Sequence, residues 1–467
     1  MMNNRPYKIF FSGIAGSGVS ALAAFMADRG HQVSGSDRAF DMDPGHRLRK
    51  VFLSKGITLA PQDGSGLDRT FDFAVFSTAV EPDKPEVLKA KELGIPVKTR
   101  PEFLTEITGS FDTIAVAGTS GKSTASGLLA FLMSRLDLDP NFIGGGRVRQ
   151  FRTPSEPGNS RTGKSPHLVI EACESDGSIV NYRPCHSIIL NLALDHHTID
   201  RTSSMFKTLI KNTEDRVVLN ADDRNLAIFA DMCTTAFSIH SPSDFLAEDI
   251  VYKPFSTEFS LHKKRVTLSL PGEHNLYNAL SCIALLSEFG ISLNEIAEAL
   301  PEFQGVERRF DIHLNDGEYL VIDDYAHNPH KIASLMETVK RLGSKVCYIF
   351  QPHGFGPTRM MKKEYIQTFI EHLRAHDRLF LLPIYYAGGT ASRDISSHDL
   401  ADEIGAAGKN AEVLEIRENI FKWISEYNTF IIFGARDESL SDFASEIAGT
   451  IKSQRGNRAK VQKSEEP

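Results

Sequence analysis

One stretch constrains this chain more than any other. Phe111-Asp112-Thr113-Ile114-Ala115 reads as the start of a buried strand, Gly118-Thr119-Ser120-Gly121-Lys122-Ser123-Thr124 as a glycine turn, and Ser126 to Met133 as a helix with a continuous apolar side. Strand, glycine turn, Gly-Lys-Ser and helix form the layout of a phosphate-binding loop. Helix N-terminal N–H groups point at the anion, and the helix dipole adds to the attraction. Lys122 is expected to reach the outer phosphates of a nucleotide and Ser123 to give a hydroxyl to a magnesium ion, with Gly118, Thr119, Gly121 and Thr124 shaping the cradle. The full pattern has a glycine five places before Gly121, where this chain has Val116. The loop is therefore a variant. A glycine turn that merely contains a lysine is the plainer alternative, but it leaves the two hydroxyl residues after Lys122 unexplained.

A chain of 467 residues is too long for one hydrophobic core, so two or three domains are expected. The net charge is -8, and no Lys/Arg block stands outside the C-terminal tail, which argues against a nucleic-acid partner. No stretch has the ~20 consecutive apolar residues of a membrane helix. The first residues run into a strand-like Tyr7-Lys8-Ile9-Phe10-Phe11 with no secretory apolar region. Five scattered cysteines argue against a disulfide framework and point to a reducing, cytoplasmic compartment.

The expected fold is α/β in three domains: an N-terminal Rossmann-like domain over 1–108, a central P-loop mononucleotide-binding sheet over 109–312, and a C-terminal Rossmann-like domain over 313–452. In the first, Ile9 to Ser12 leads into Gly13-Ile14-Ala15-Gly16-Ser17-Gly18, and a second strand closes on Ser36 and Asp37. That is a dinucleotide-type βαβ unit. Gly16, Ser17, Gly18, Ser36, Asp37 and Ser77, all at strand ends or turns, are candidates for gripping a nucleotide-sugar diphosphate. In the central domain, Leu168-Val169-Ile170 delivers Glu171, Glu174 and Asp176 at a strand end, where magnesium ligands would sit. The next strand ends in Asp195-His196-His197, and His196 is a candidate for a second metal or for phosphate. Residues 150–165, rich in Pro, Gly, Ser, Arg and Thr, read as an exposed loop. Residues 249–270 read as antiparallel additions to the sheet edge. Ser292 with Glu295 reads as a capped helix start. In the third domain, Asn315-Asp316-Gly317 between strand-like runs predicts a hairpin. Residues 453–467 have almost nothing apolar to bury and read as a disordered tail.

The ordered set of these motifs resembles the Mur ligases, ATP-dependent amide-forming enzymes. The likeness runs from residue 8 to about residue 446. Beside the stretches above it rests on His274-Asn275-Leu276-Tyr277-Asn278, Gly305-Val306-Glu307-Arg308-Arg309-Phe310, Asp324-Tyr325-Ala326-His327, Phe350-Gln351-Pro352-His353 and Gly434-Ala435-Arg436-Asp437. The resemblance implies a reaction in which ATP activates the lactyl carboxylate of UDP-N-acetylmuramate as an acyl phosphate and an amine then displaces phosphate. It implies ATP and Mg2+ as cofactors, Lys122 on phosphate, and Ser123, Glu171 and His196 on metal. His274, Asn275, Asn278, Arg308 and Arg309 would border the nucleotide, Asp324 its ribose, and His327 and His353 would face the incoming amino acid or short peptide. Family members that join L-alanine are the nearer match, with those that join a tripeptide as the alternative and a nucleotide-sugar sensor without activity as a third. A monomer or homodimer is expected. Three positions depart from the pattern: Ser120 replaces histidine, Asn328 follows His327 in place of a second histidine, and Pro357 stands where an arginine would grip the amino-acid carboxylate. Arg359 is the candidate to replace it.

Overall fold

The computed structural model describes residues 5–465 except 79, 196, 343–344 and 387–391, with side chains described as far as residue 455. The chain divides into two compact units, one ending at Val306 and one beginning at Glu307.

The first unit holds two mainly parallel sheets and two small antiparallel ones. One has the order Thr58–Ala60, Gln32–Ser36, Lys8–Ser12, Phe73–Phe76, Val97–Thr99, with every pairing parallel. The order reverses around Lys8–Ser12, and at such a switch the strand ends leave a crevice for ligands. The second sheet has Asp112–Ala117 near its middle, flanked by His167–Glu171 and His186–Ile189, and continues through Arg216–Asn220. Its strands Ile114-Ala115-Val116-Ala117 and Leu168-Val169-Ile170 are wholly buried, as expected for a parallel sheet covered on both faces. One apolar cluster joins both sheets and the helices that cover them, including Phe11, Ala117 and Ile170 from strands and Phe25, Phe103 and Phe206 from helices. Each such buried phenylalanine contributes roughly 1.5–3 kcal/mol. An exposed ion pair gives about 1 kcal/mol or less, so packing rather than charge makes the two sheets one body.

Local signals place the connections. Ser292 and Glu295 form a reciprocal cap on the helix Leu293–Ala299, as their spacing predicts, and Thr99 and Glu102 do the same for Arg100–Thr108. Two readings are corrected. The strands Glu248–Tyr252, Thr257–Leu261 and Lys264–Leu268 are antiparallel, but they form a separate sheet and do not extend the central one. Their alternation buries one face, Phe259, Leu261, Val266 and Leu268, in the apolar cluster that contains the helix Glu273–Glu288. Residues 150–165 are not simply an exposed loop. They contain the small hairpin Arg152–Thr153 with Glu156–Pro157, and Ser160–Arg161 pairs antiparallel with Asn141–Ile143. Asn159 is fully buried and donates to the Ser17 carbonyl at 2.7 Å and to Ser20 Oγ at 2.9 Å, which ties the segment to the first glycine turn.

The second unit is a sheet in the order Asp311–Asn315, Leu320–Asp324, Thr429–Gly434, Val346–Gln351, Arg378–Leu381, Ala411–Val413. Its first pair is the predicted hairpin, with Gly317 at φ +87°, and the remaining pairs are parallel. The last helix runs Ser439–Glu465, so residues 453–465 of the segment expected to be disordered are helical, and 466–467 lie outside the described residues. Lack of apolar residues removes a packing face, but Ala, Lys, Arg, Gln and Glu are good helix formers and extend a helix anchored by Phe443, Ile447 and Ile451. Among the described residues no helix is long and apolar enough to cross a membrane.

Candidate functional site

The central glycine turn sits between Asp112–Ala117 and the helix Lys122–Arg135. Val116, which replaces the first glycine of the pattern, is a buried strand residue in register with Glu171 and Ile188 and lies outside the turn. The turn proper begins at Gly118 (φ +148°) and closes at Gly121 (φ +87°). A Cβ on Gly121 would stand 2.4 Å from Asn278 Oδ1, so glycine is required there by both backbone and neighbour. Lys122 Nζ donates to the Gly118 carbonyl at 2.6 Å and to Glu174 Oε2 at 2.8 Å. The Lys122 side chain is 13% exposed and that of Glu174 1%. Burial pulls the lysine pKa down, but the charges of Glu174, Cys173 and Glu171 outweigh it and hold the ammonium above its ordinary range. Glu174 Oε1 is buried without a hydrogen-bond partner.

Ser123 Oγ donates to Glu171 Oε2 at 3.2 Å, and Glu171 Oε1 accepts from Gly145 N at 2.7 Å. A hydroxyl beside a carboxylate is an all-oxygen donor pair. It fits magnesium, which takes one or two protein oxygens and completes its shell with phosphate and water. No group of three or more His, Cys, Asp or Glu suited to a metal occurs among the described residues. His196 lies outside the described residues. Thr119 is held from the neighbouring strand end: its Oγ1 donates to Asn191 Oδ1 at 2.8 Å, and Ser120 N donates to the same oxygen at 2.8 Å. Asn191 returns a bond to the Ser120 carbonyl at 3.0 Å. Thr124 is buried in the first helical turn. His274 is exposed at the start of the helix Glu273–Glu288, while Asn275 is buried, donating to the Pro271 carbonyl at 2.8 Å. Asn275 therefore braces its own helix, and Asn278 is the one of the two that meets the loop.

In the first sheet, Gly16, Ser17 and Gly18 open the helix Ser17–Asp28, and Ser77 N donates to the Ser12 carbonyl at 3.1 Å. Asp37 accepts from Ala15 N at 2.8 Å and from Ala39 N at 2.9 Å, so its carboxylate holds the glycine turn and caps the next helix. Ser36 bonds within the domain. It is fully buried and its hydroxyl donates to Glu86, as does that of Ser12. Burial pushes the Glu86 carboxyl up, against the two hydroxyl donors. Arg100 lies against Gly18, whose Cβ would meet its Nε at 3.4 Å, and bonds Asp176 at 3.1 Å. It links the first turn to the acid run that carries Glu171 and Glu174. Asn191, Glu86 and Arg100 are residues that sequence alone did not single out, and it did not say which strand-end acid would hold Lys122. The acids at 171–176 are equivalent on paper, and nothing in a strand-end asparagine marks it as a loop holder.

In the second unit, Arg308 (φ +58°) donates to Asp323 at 3.2 Å, to the Asp437 carbonyl at 2.9 Å and to the Gly434 carbonyl at 2.7 Å. Its guanidinium is a clamp inside this unit, because burial obliges it to find acceptors there. Arg309 lies over the Tyr325 ring at 4.8 Å. Asp324 accepts from Phe310 N and Ala326 N, each at 2.7 Å. His327 and His353 come together, with ring centroids 5.4 Å apart. Burial, with Lys331 nearby, lowers the His327 pKa to about 3, so the ring is neutral. Its Nδ1 donates to the Tyr325 carbonyl at 2.8 Å, which leaves Nε2 as an acceptor. Asn328, in place of the second histidine, caps the helix Pro329–Lys340 by accepting from Lys331 N at 2.9 Å. Arg359 is tied to the Ser392 carbonyl and to Asp394.

Fold and site together define an α/β enzyme that gathers charged groups at the carboxyl ends of parallel strands. Three family models match successive parts: Mur ligase family, catalytic domain, over 8–112; Mur ligase middle domain over 116–286; and Mur ligase, glutamate ligase domain, over 308–452. A UDP-N-acetylmuramate–L-alanine ligase of Fusobacterium nucleatum is 32% identical over 95% of this chain and 97% of its own length. That of Dictyoglomus turgidum is 32% identical over 91% of each. The crystal structure of UDP-N-acetylmuramate-alanine ligase from Thermotoga maritima superposes with a TM-score of 0.80 at 27% identity, covering 96% of this chain and all of that one (100%). A murein peptide ligase from Psychrobacter arcticus shares the fold, with a TM-score of 0.68 at 22% identity over 95% of this chain and 98% of that one. The chain belongs to the Mur ligase family, and it is an enzyme of the ligase class.

Proposed function

We propose that this chain is an ATP- and Mg2+-dependent cytoplasmic ligase that joins L-alanine to the lactyl carboxylate of UDP-N-acetylmuramate. The observation that carries the reading is the buried Lys122, held by Glu174 and the Gly118 carbonyl beside the Ser123–Glu171 pair. It stands on a chain that matches L-alanine ligases over nearly its whole length. The central turn is then a P-loop. Its amides and Lys122 hold the phosphates and offset the charge that builds on the transferred oxygens. Magnesium, when bound at Ser123 and Glu171, would supply further neutralisation of that charge. The γ-phosphoryl group passes to the substrate carboxylate, ADP leaves, and the amine attacks the acyl carbon and expels phosphate. No side-chain nucleophile is needed. His327, neutral with Nε2 open as an acceptor, is suited to take a hydrogen bond from the incoming amine. The glycine turn of the first sheet, braced by Asp37, would hold the uridine diphosphate end.

One observation favours a bulkier amine, such as the tripeptide of murein recycling: a Cβ at Gly356 would meet nothing within 4 Å, so the stretch after His353 has room. A coupled ADP-release assay with UDP-N-acetylmuramate and a panel of amines decides. Turnover with L-alanine is the expected result; turnover with tripeptide and none with L-alanine would replace the reading by its alternative.

A further inference from the structure

The segment 150–165 is fastened along the helix Ser17–Asp28 at two points of different kind. At the carboxyl end of the helix, Lys55 Nζ lies between the carboxylates of Asp28 and Glu156, and the lysine side chain is 5% exposed. At the amino end the fastening is neutral. Asn159 is fully buried, and its Nδ2 donates to the Ser17 carbonyl and to Ser20 Oγ. A carbonyl only accepts, so the amide nitrogen has to be the atom that faces Ser17. Asn159 Oδ1 is buried without a hydrogen-bond partner among the described residues. Leucine has about the same shape and would avoid the cost of that unpaired oxygen. What asparagine supplies at this place is therefore its pair of donated bonds.

The main chain of Asn159 carries this anchor to the Ser123–Glu171 pair. Its carbonyl accepts from Gly144 N at 2.8 Å, and the next residue, Ser160, is in register with Ile143. On the far side of the bend, Val148 N donates to the Gly158 carbonyl at 2.8 Å. Between these ties, Gly145 N donates to Glu171 Oε1, whose other oxygen accepts from Ser123 Oγ. A Cβ on Gly145 would stand 3.0 Å from Glu171 Oε2, and one on Gly146 would stand 3.1 Å from Ser123 Cβ. The bend thus lies directly on both oxygen donors. With no side chain of its own at 144–146, it is held in place by the bonds to Asn159 and Gly158.

We infer that Asn159 is a positioning residue for Glu171: anchored on Ser17 and Ser20, it holds the glycine bend whose Gly145 amide sets the carboxylate for a magnesium ion. This rests on the ligase reading above. Asn159 touches neither the metal nor a substrate and acts through Gly144 and Gly145. A partner behind a metal ligand fixes the direction of that ligand, and its loss typically weakens metal binding by ten- to a hundred-fold.

The test uses the full-length protein and Mn2+ as a paramagnetic probe in place of Mg2+. Its binding is followed by electron paramagnetic resonance with the β,γ-imido analogue of ATP, so no turnover occurs. Asn159→Leu, which keeps the shape and removes the donor, is expected to weaken Mn2+ by about tenfold. In the assay of ADP release it should raise the Mg2+ concentration needed for half activity by a similar factor, with kcat recovered at high Mg2+. Ser20→Ala removes one acceptor of the anchor and should give a smaller shift in the same direction, which keeps the question open to decision should Asn159→Leu fail to fold. Lys55→Ala loosens the other fastening and should leave both metal constants in place. In a Glu171→Gln background, Asn159→Leu should add nothing further. Unchanged Mn2+ binding in Asn159→Leu, or in Ser20→Ala where Asn159→Leu does not fold, overturns the assignment. So does an equal loss in Lys55→Ala, or a full additional loss on top of Glu171→Gln. The ligase reading survives each of these results. An unaltered protein that binds neither the ATP analogue with Mn2+ nor UDP-N-acetylmuramate overturns both.

Discussion

Behind each of the two glycine turns of the first unit lies a buried carboxylate, and the two are used in opposite ways. Glu86, 1% exposed, stands behind the first turn and receives the hydroxyls of Ser12 and Ser36. Its partners are neutral, so burial dominates and pushes its carboxyl up. Glu174, 1% exposed, stands behind the central turn and faces the ammonium of Lys122. The first turn is also tied up through its own amides, with Gly13 N and Ile14 N on the Ser36 carbonyl and Ala15 N on Asp37. In the central turn the amides are likewise tied, Thr119 N on the Asn191 carbonyl and Ser120 N on Asn191 Oδ1. Similar strand–glycine–helix sequences thus give one turn backed by a carboxyl bonded to neutral hydroxyls and one backed by a carboxylate paired with a lysine.

Four substitutions probe that contrast, in order of expected effect. Lys122→Ala should lower ADP formation by on the order of 10³-fold or more while the chain stays folded, because it removes the charge aimed at the phosphates; unchanged turnover would mean the central turn is no more active than the first. Glu174→Gln keeps shape and one hydrogen bond but not the charge. A fall in kcat of about 10- to 100-fold is expected, since hydrogen bonds to charged groups contribute roughly 1.5–3 kcal/mol, and a kcat equal to that of the unaltered enzyme would put Glu174 with Glu86 as a brace. Asp37→Ala should raise the KM for UDP-N-acetylmuramate about tenfold and leave that for ATP alone, as expected for losing two acceptors that hold one turn; an equal change in both would show that the turns are coupled. The smallest effect concerns Glu86→Gln. A carboxyl whose pKa is raised by folding binds more protons folded than unfolded, so its contribution to stability is complete below the unfolded value and is lost as pH rises through the folded one. Melting temperatures measured from pH 4 upward should therefore improve for the variant relative to the unaltered protein as pH rises, and a constant difference would show that Glu86 does not titrate in that way.

Much of the fold was legible because it depends on local patterns. The capping box at Ser292, the Asp316-Gly317 hairpin and the strand–turn–helix around Lys122 all follow from neighbours in sequence. The separate small sheet was not, because alternation over Thr257–Leu261 and Lys264–Leu268 says which face is buried but not what covers it. At the site, Lys122 with Ser123 was readable from spacing. That Glu174, and not Glu171, holds the lysine was not, since both leave the same strand end and only the path of the loop from Ala172 to Ser175 decides which carboxylate turns inward.

Sequence by itself determined the strand and helix order, the place of the central turn and the family likeness, for these rest on residue type and spacing. Tertiary structure decided the employment of the polar groups. Ser36 and Arg308 carry the right chemistry for ligands, yet both are buried and bonded to Glu86 and to Asp323, because a buried donor must find the nearest acceptor. Arg359 and Arg393 look equivalent as letters; only the fold pairs the first with Asp394 and lays the second on the rings of Tyr386 and Phe355.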